Sequence, residues 1–532
     1  MSLNPVAKKT ILLQCFLLTI HLITLTGCSE NSKSASSEEN TPVDLPDTIA
    51  LPDTAYASVQ DLDYKVIVVD SVHSGQINDY SSQYDSTLGV LTFRGGPLRD
   101  ARFGGRVKGT PSRVEQVWMH KTDYSIRPTR LGTWGGGTGW TGQPLLVHWP
   151  DSVFNRFKRQ SPGLTEHFSQ DEIIVASLCA RVYFLNPATG EETRRPLDAG
   201  NPSKGTMMLD PTLNGNLYMG QAVPFDYDFG RVCFNLFQHK QVYFDGNDKD
   251  ASRGWSGSDS SPLRVGDFVF WPAENGLFYK YRIGSDGSMS VHSKLHYIVK
   301  GDAAAGIESS VAVYKNYGYF GDNHGDVLCV NLNTMRPVWH YDNVDDIDAS
   351  LVCEVVNGVP YLYCGCEVDR QGDSGKCRFV KLNGLTGRPE WTQEFDCHRQ
   401  SIDKKHFDGG CYATPLLGEG DCRDLIFASI CQQGQSKAAQ FTAINRATGK
   451  VVYQTRLNYF SWSSPVAFYN ERNELFIFVG DSSGFGYLIK GRTGEILWKG
   501  RLANNFESSP VVMGDSMVVG SRGQEIYCFR VV

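Results

Sequence analysis

The chain has 532 residues, 41% hydrophobic and 20% charged, with 54 Gly, 28 Phe, 24 Tyr and 10 Trp. That is enough apolar material for a large core, and it excludes a disordered or collagen-like chain. With 51 Lys and Arg against 58 Asp and Glu, a net charge of -7 and no basic block, the footprint that nucleic acid demands is missing, and no nucleic-acid partner is expected.

Residues 1–27 read as an export signal. Lys8 and Lys9 precede Ile11 to Leu25, an apolar run interrupted by Gln14 and His21 and too short to span a membrane comfortably. It ends in Leu25-Thr26-Gly27-Cys28, which resembles the lipobox of bacterial lipoproteins; the resemblance implies cleavage before Cys28 and lipidation of its thiol. Removing residues 1–27 leaves 49 basic against 58 acidic residues, a net charge of -9. Multiple acyl chains anchor stably, because each buried methylene contributes about 0.8 kcal/mol and one chain alone is marginal. Residues 28–85 are expected to form a lipidated flexible linker, since Ser29 to about Asp53 is rich in Ser, Glu, Asn, Pro and Thr. Ser29 lacks the Asp that retains many lipoproteins in the inner membrane, so the expected location is the outer membrane, facing periplasm or surface.

From residue 86 onward the chain repeats. Ser260-Ser261-Pro262, Ser309-Ser310-Val311, Ala349-Ser350-Leu351, Ala413-Thr414-Pro415, Ser463-Ser464-Pro465 and Ser508-Ser509-Pro510 each open an apolar strand. Diverged copies start near Gln143-Pro144 and Gly205-Thr206, which makes eight. Most copies carry a second signature: Asn, three residues on Thr, then usually Gly, and an aromatic five residues after the Thr. Asn331-Thr334-Trp339, Asn383-Thr386-Gly387-Trp391 and Asn445-Thr448-Gly449-Tyr453 fit fully; Thr493-Gly494-Trp498 has Lys490 for the Asn, and Asn186-Thr189-Gly190 has Arg194 for the aromatic. Thr-Gly suits a tight turn, the Asn side chain can bond the turn backbone, and the aromatic can pack between neighbouring units.

Between the markers each copy reads as four strands of β meander, which must stack to bury its two apolar faces. The expected fold is all-β: an eight-bladed β-propeller of four-stranded antiparallel blades over residues 86–532, in which Val114-Glu115-Gln116-Val117-Trp118 completes the last blade.

These turns and strand openings, with Phe93-Arg94-Gly95-Gly96-Pro97 ahead of Trp118, resemble the pyrroloquinoline-quinone-like β-propeller repeat superfamily over about residues 91–532. With the lipoprotein N-terminus and no second catalytic domain, the chain is most similar to BamB-type scaffolds of outer-membrane protein assembly. That resemblance implies a non-catalytic protein-binding role, envelope proteins as partners and no cofactor. The superfamily also contains quinoprotein alcohol and sugar dehydrogenases, which would imply pyrroloquinoline quinone with calcium. Those enzymes carry a disulfide between adjacent cysteines; this sequence has no Cys-Cys dipeptide, and no residue aligns with their catalytic Asp. Glycan binding at the surface is a further alternative.

The residue just before each Ser-Ser-like pair is expected at the mouth of the central channel. Around the ring these are Thr141, Asp259, Glu308, Asp348, Tyr412, Trp462 and Glu507, with blade 2 unassigned. Converging carboxylates would hold Ca²⁺ or attract a Lys/Arg-rich segment, and Tyr412 and Trp462 would stack on a sugar or peptide. The acidic stretch Asp245 to Asp250 has Lys249 at the fifth position of a calcium loop and reads as a polar loop. Cys397, His398, His406 and Cys411 match no zinc spacing, and no metal is assigned. Cys353, Cys364, Cys366 and Cys377 fall in one blade, where Cys377 could bridge a neighbouring strand, while Cys179, Cys329 and Cys528 read as core. Arg156, Lys158 and Arg159 are expected in a solvated loop.

Overall fold

The computed structural model describes residues 59, 61–85, 87–225, 228–301, 305–402, 405–434 and 436–532, apart from the side chains of 401, 402, 405 and 406. The expected export signal, Cys28 and the first part of the expected linker lie outside the described residues. Among the described residues no helix is long and apolar enough to cross a membrane.

Eight antiparallel sheets follow one another as blades spanning 145–198, 208–245, 263–299, 312–342, 352–398, 416–456, 466–501 and 511–531. In blade 8 the fourth strand is Val114–Lys121, paired antiparallel from Val114 opposite Val531 to Lys121 opposite Glu525. The N-terminal strand thus closes the ring as expected, and no blade is left with an unpaired seam.

The Ser-Ser repeat has a physical reason. The second residue of each pair accepts, through its hydroxyl, the backbone N–H of its counterpart in the preceding blade: Ser261 to Ser310 at 2.8 Å, Ser310 to Ser350 at 2.9 Å, Ser350 to Thr414 at 3.2 Å, Thr414 to Ser464 and Ser464 to Ser509 at 3.1 Å. Gln143 N donates to Thr206 Oγ1, Ser261 Oγ to the Met207 carbonyl, and Ser509 N to the Thr141 carbonyl. These links form a closed belt around the channel, and each satisfies a buried donor that strand pairing leaves free.

The second signature ties blades together at the rim. Trp118 Nε1 donates to the Pro187 carbonyl, Trp339 Nε1 to Gly384, Trp391 Nε1 to Arg446 and the Tyr453 hydroxyl to Gly491, each reaching the turn of the next blade. The turn residue must be glycine: Gly449 has φ +70, and a Cβ there would lie 2.6 Å from Trp391. Asn445 Oδ1 accepts the N–H groups of Ala447 and Thr448 and holds that turn. Arg194, where the aromatic is missing, is fully buried against Glu172 and lies 4.4 Å over the Phe157 ring.

One end of the channel is closed by residues 88–107. His148 N donates to the Leu88 carbonyl, Leu209 N to Leu91, Val313 N to Pro97 and Cys353 N to Leu98. Thr92 Oγ1 reaches the Pro262 carbonyl. The Arg94 guanidinium spans the carbonyls of Pro415 and Pro465 at 2.6 and 2.7 Å. Gly105–Arg106 pairs parallel with blade 7, and Arg106 N donates to Gly514 in blade 8. This segment therefore bonds the inner strand of all eight blades. Arg99 donates to the carbonyls of Val311, Phe93 and Ser261 and to Thr92 Oγ1. Burial lowers both guanidinium pKa values to about 10, so both stay charged at neutral pH.

Two expectations are corrected. The linker does not extend to residue 85: Leu62–Val68 adds a fifth strand to blade 3, paired with Met289–Val299, and Ile77 and Tyr84 are buried. Lys280 Nζ holds this strap by donating to the carbonyls of Gly75 and Leu332. The alternating strand Leu-Asp-Tyr-Lys-Val-Ile-Val carries β propensity that the polar composition upstream masked. Second, Arg156, Lys158 and Arg159 lie on a helix, Asp151–Gln160, not in a loop. Phe154 and Phe157 share a helical stripe, and Phe157 is fully buried 4.8 Å from the Trp149 ring, worth about 1.5–3 kcal/mol. Asp151 in the first turn and Lys158 in the last suit the helix dipole.

Candidate functional site

On the other side of the belt, the residues preceding each pair converge on the channel mouth. Asp259 and Glu308 are joined there by Glu274, and one carboxylate oxygen from each lies within 4.8 Å of the others. Lys204 Nζ pairs with Asp259 and lies 3.8 Å from Glu308 Oε2. Glu367, carried in by the short strand Glu367–Val368, comes beside Asp348 and Tyr412. Asp346 adds a sixth carboxyl beside Asp348. The Tyr412 and Trp462 rings stand 5.3 Å apart, and Phe460 lies 5.0 Å from Trp462. Glu507 turns to its own blade, bonding Asn505 at 3.0 Å and Arg522 at 3.4 Å. Thr141 belongs to the belt, its carbonyl accepting Ser509 N.

Six carboxyl groups against one ammonium cannot all ionise. Burial, followed by repulsion from neighbouring carboxylates, pushes Glu274, Asp346, Asp348 and Glu367 well above the usual carboxylate range. Burial lifts Asp259 to about 6 against the pull of Lys204. On Lys204 burial opposes the charge, but Asp259, Glu308 and Glu274 outweigh it and raise its pKa. Asp259 Oδ1, Glu274 Oε1, Asp346 Oδ1, Asp348 Oδ1 and Glu367 Oε1 are buried without hydrogen-bond partners, as are Trp140 Nε1 and Trp462 Nε1.

The structure thus brings Asp259, Glu308, Asp348, Tyr412 and Trp462 together, with Glu507 at the edge. Sequence reasoning missed Lys204, although it precedes Gly205-Thr206 at the offset that found the others. Glu274 and Asp346 come from loops and Glu367 from a short strand, all outside the repeat register, so no spacing revealed them. Tyr412 is only 8% exposed, which leaves little ring face for a sugar.

Pyrroloquinoline quinone with calcium does not fit this donor set. The ammonium of Lys204 lies on two of the three clustered carboxylates where a divalent cation would sit. The twelve described cysteines are unpaired and buried, none is adjacent to another, and none bonds a mouth residue.

The other sequence candidates are tied up locally. In the acidic loop Lys294 Nζ pairs with Asp248 at 2.9 Å and Asp250 at 2.6 Å, and the Tyr281 hydroxyl donates to Asp245. Cys377 lies beside Cys366 and Cys397 within blade 5, and Cys411 packs beside them; the His406 side chain lies outside the described residues.

Residues 437–530 match the family described as outer membrane protein assembly factor BamB. No curated protein matches the chain. Among solved structures, a europium-containing methanol dehydrogenase is similar at 13% identity and TM-score 0.55, covering 84% of this chain and 99% of its own. A quinohemoprotein alcohol dehydrogenase from Comamonas testosteroni is similar at 12% identity and TM-score 0.54, covering 84% and 81%. BamB from Moraxella catarrhalis matches at 15% identity and TM-score 0.46, covering 70% and 98%. What the two dehydrogenases share with this chain is architecture, and by that architecture it is an eight-bladed β-propeller of the quinoprotein-like fold, whose residues 437–530 match the BamB family model.

Proposed function

We propose that this protein is a non-catalytic binding propeller of the bacterial cell envelope, anchored through lipid on Cys28 and acting, like BamB-type scaffolds, by engaging a partner protein. The acidic well receives a lysine- or arginine-bearing segment of that partner. One observation carries the reading: several buried carboxyl oxygens lack hydrogen-bond partners beside a single ammonium. Such groups are costly to leave unmade, and a second cation would satisfy them. Trp462 at the rim offers an aromatic face to the incoming charge.

Titration of the full-length chain with a lysine-rich peptide is expected to show saturable binding that weakens with salt and about tenfold on Glu308→Gln, or about 1.4 kcal/mol. Salt-indifferent binding, or none, would remove the reading. In a parallel arm, pyrroloquinoline quinone with millimolar Ca²⁺ is expected not to bind; calcium-dependent saturation would restore the dehydrogenase alternative. Loss of metabolic acyl labelling on Cys28→Ala checks the anchor.

A further inference from the structure

A two-stranded hairpin at the edge of the acidic mouth belongs to no blade. Ser125–Thr129 pairs with Gly132–Gly135 and with no third strand. The hairpin is fastened at its base: Thr122 N donates to the Gln524 carbonyl, Gly137 N to Thr122 Oγ1 and Thr138 N to the Ser521 carbonyl. A Cβ on Gly136 would lie 2.3 Å from the Asp123 carbonyl oxygen, so glycine there lets the two arms leave side by side.

Its neighbours tie it to the mouth. Trp134 lies 5.9 Å from the Arg522 guanidinium, which pairs with Glu507. Beyond Gly135 the chain runs on to Trp140, whose ring is 5.7 Å from Lys204 Nζ. Arg127 lies 4.3 Å over the ring of Phe225, which sits between the second and third strands of blade 2. The hairpin thus reaches from blade 8 to blade 2 beside the well.

What it shows to solvent is apolar. Ile126 is 81% exposed, Leu131 64% and Tyr124 59%, three of the four most exposed large apolar side chains among the described residues. Such side chains scattered singly are ordinary, but three on one hairpin about 16 Å long make a patch. Charge selects what covers it. Anionic lipid, or a second copy of this chain with its net charge of -7, would bring negative charge against Glu308 and Glu507. A segment carrying Lys or Arg beside apolar residues complements both surfaces, and the hairpin's own Arg130 stands in the turn, at the end remote from the base.

We infer that the hairpin and the acidic well together hold one extended segment of a partner protein, its Lys or Arg in the well and, within about five residues, apolar side chains on Ile126 and Leu131. This rests on the reading of the well given above and adds the apolar half of the recognition.

The test is calorimetric titration of the full-length chain with three peptides of about ten residues: alternating lysine and serine, the same with two serines replaced by leucine, and the leucine peptide with its lysines replaced by serine. The basic leucine peptide is expected to bind at least about tenfold more tightly than either of the others. Ile126→Ser combined with Leu131→Ser is expected to erase its advantage over the lysine and serine peptide; both side chains are exposed, and an unchanged melting temperature checks the fold. Equal affinity of the two basic peptides, or an advantage that survives in the double variant, overturns the inference while leaving the well. Absence of salt-dependent binding by both basic peptides removes the well and the inference with it. Capture on phosphatidylglycerol vesicles, or self-association, that is lost in the double variant would also overturn it, giving the patch to a membrane or to a second copy.

Discussion

The two ends of the channel are built from opposite solutions to one problem, charge buried near the axis. At the floor, Arg99 places all three guanidinium nitrogens on carbonyl or hydroxyl oxygens, and Arg94 uses both terminal nitrogens to bridge blades 6 and 7. At the mouth, carboxyl groups outnumber the one ammonium and several oxygens have no partner. Both ends are polar and buried, so composition does not separate them; satisfaction does. At the floor Arg94 Nε is left unpaired, against five carboxyl oxygens at the mouth; a nearly saturated network holds the fold, whereas a largely unsaturated one is costly unless something else completes it.

The strongest way to break this contrast is Arg99→Ala. It strands four acceptors at the hub and is expected to cost about 3–5 kcal/mol in urea unfolding; a loss below about 1 kcal/mol would show the floor to be ornamental. Next is Lys204→Met, which takes from the acidic cluster its ammonium and leaves only the Arg253 guanidinium acting on Glu274. Burial holds Asp259 at about 6, above its ordinary value, so the native state binds the extra proton and stability from this group falls as pH rises from about 4 to 6. Without Lys204 that window moves upward, and the variant is expected to lose about 2–3 kcal/mol more at pH 8 than at pH 5. Thermal melts at the two pH values check it, and equal losses would deny that Lys204 neutralises the cluster. Ser310→Ala, in the belt between the two ends, strands the Ser261 N–H and is expected to cost about 1–2 kcal/mol. Smallest is Glu308→Gln, expected to change stability by less than about 0.5 kcal/mol while weakening peptide uptake, because Glu308 is partly exposed. A large stability loss there would make the mouth structural like the floor.

The belt is legible in the amino-acid sequence. The spacings 49, 40, 64, 50 and 45 between successive Ser or Thr residues are the sequence separations of the hydrogen bonds that join them. Trp391 and Gly449 are readable for the same reason, since each blade repeats one contact with the next. Residues that do one job once are not. The strap Leu62–Val68 has its register set by blade 3, the helix Asp151–Gln160 by a pocket around Trp149, and Glu367 reaches the mouth through a strand outside the four-strand pattern of the blades. Periodicity reports what recurs, and half of the mouth cluster is made of exceptions.

Residues 88–107 precede every blade strand they touch, from Leu146 to Gly514. They are the axle of a wheel whose rim is synthesised afterwards, and none of the eight spokes can be fitted finally until the last has been made. Folding of this domain is therefore dominated by contacts distant in sequence, which makes it slow and leaves partly built sheets waiting in the meantime. Deleting the axle, by this logic, would delay the closing of the ring more than deleting any length of surface loop.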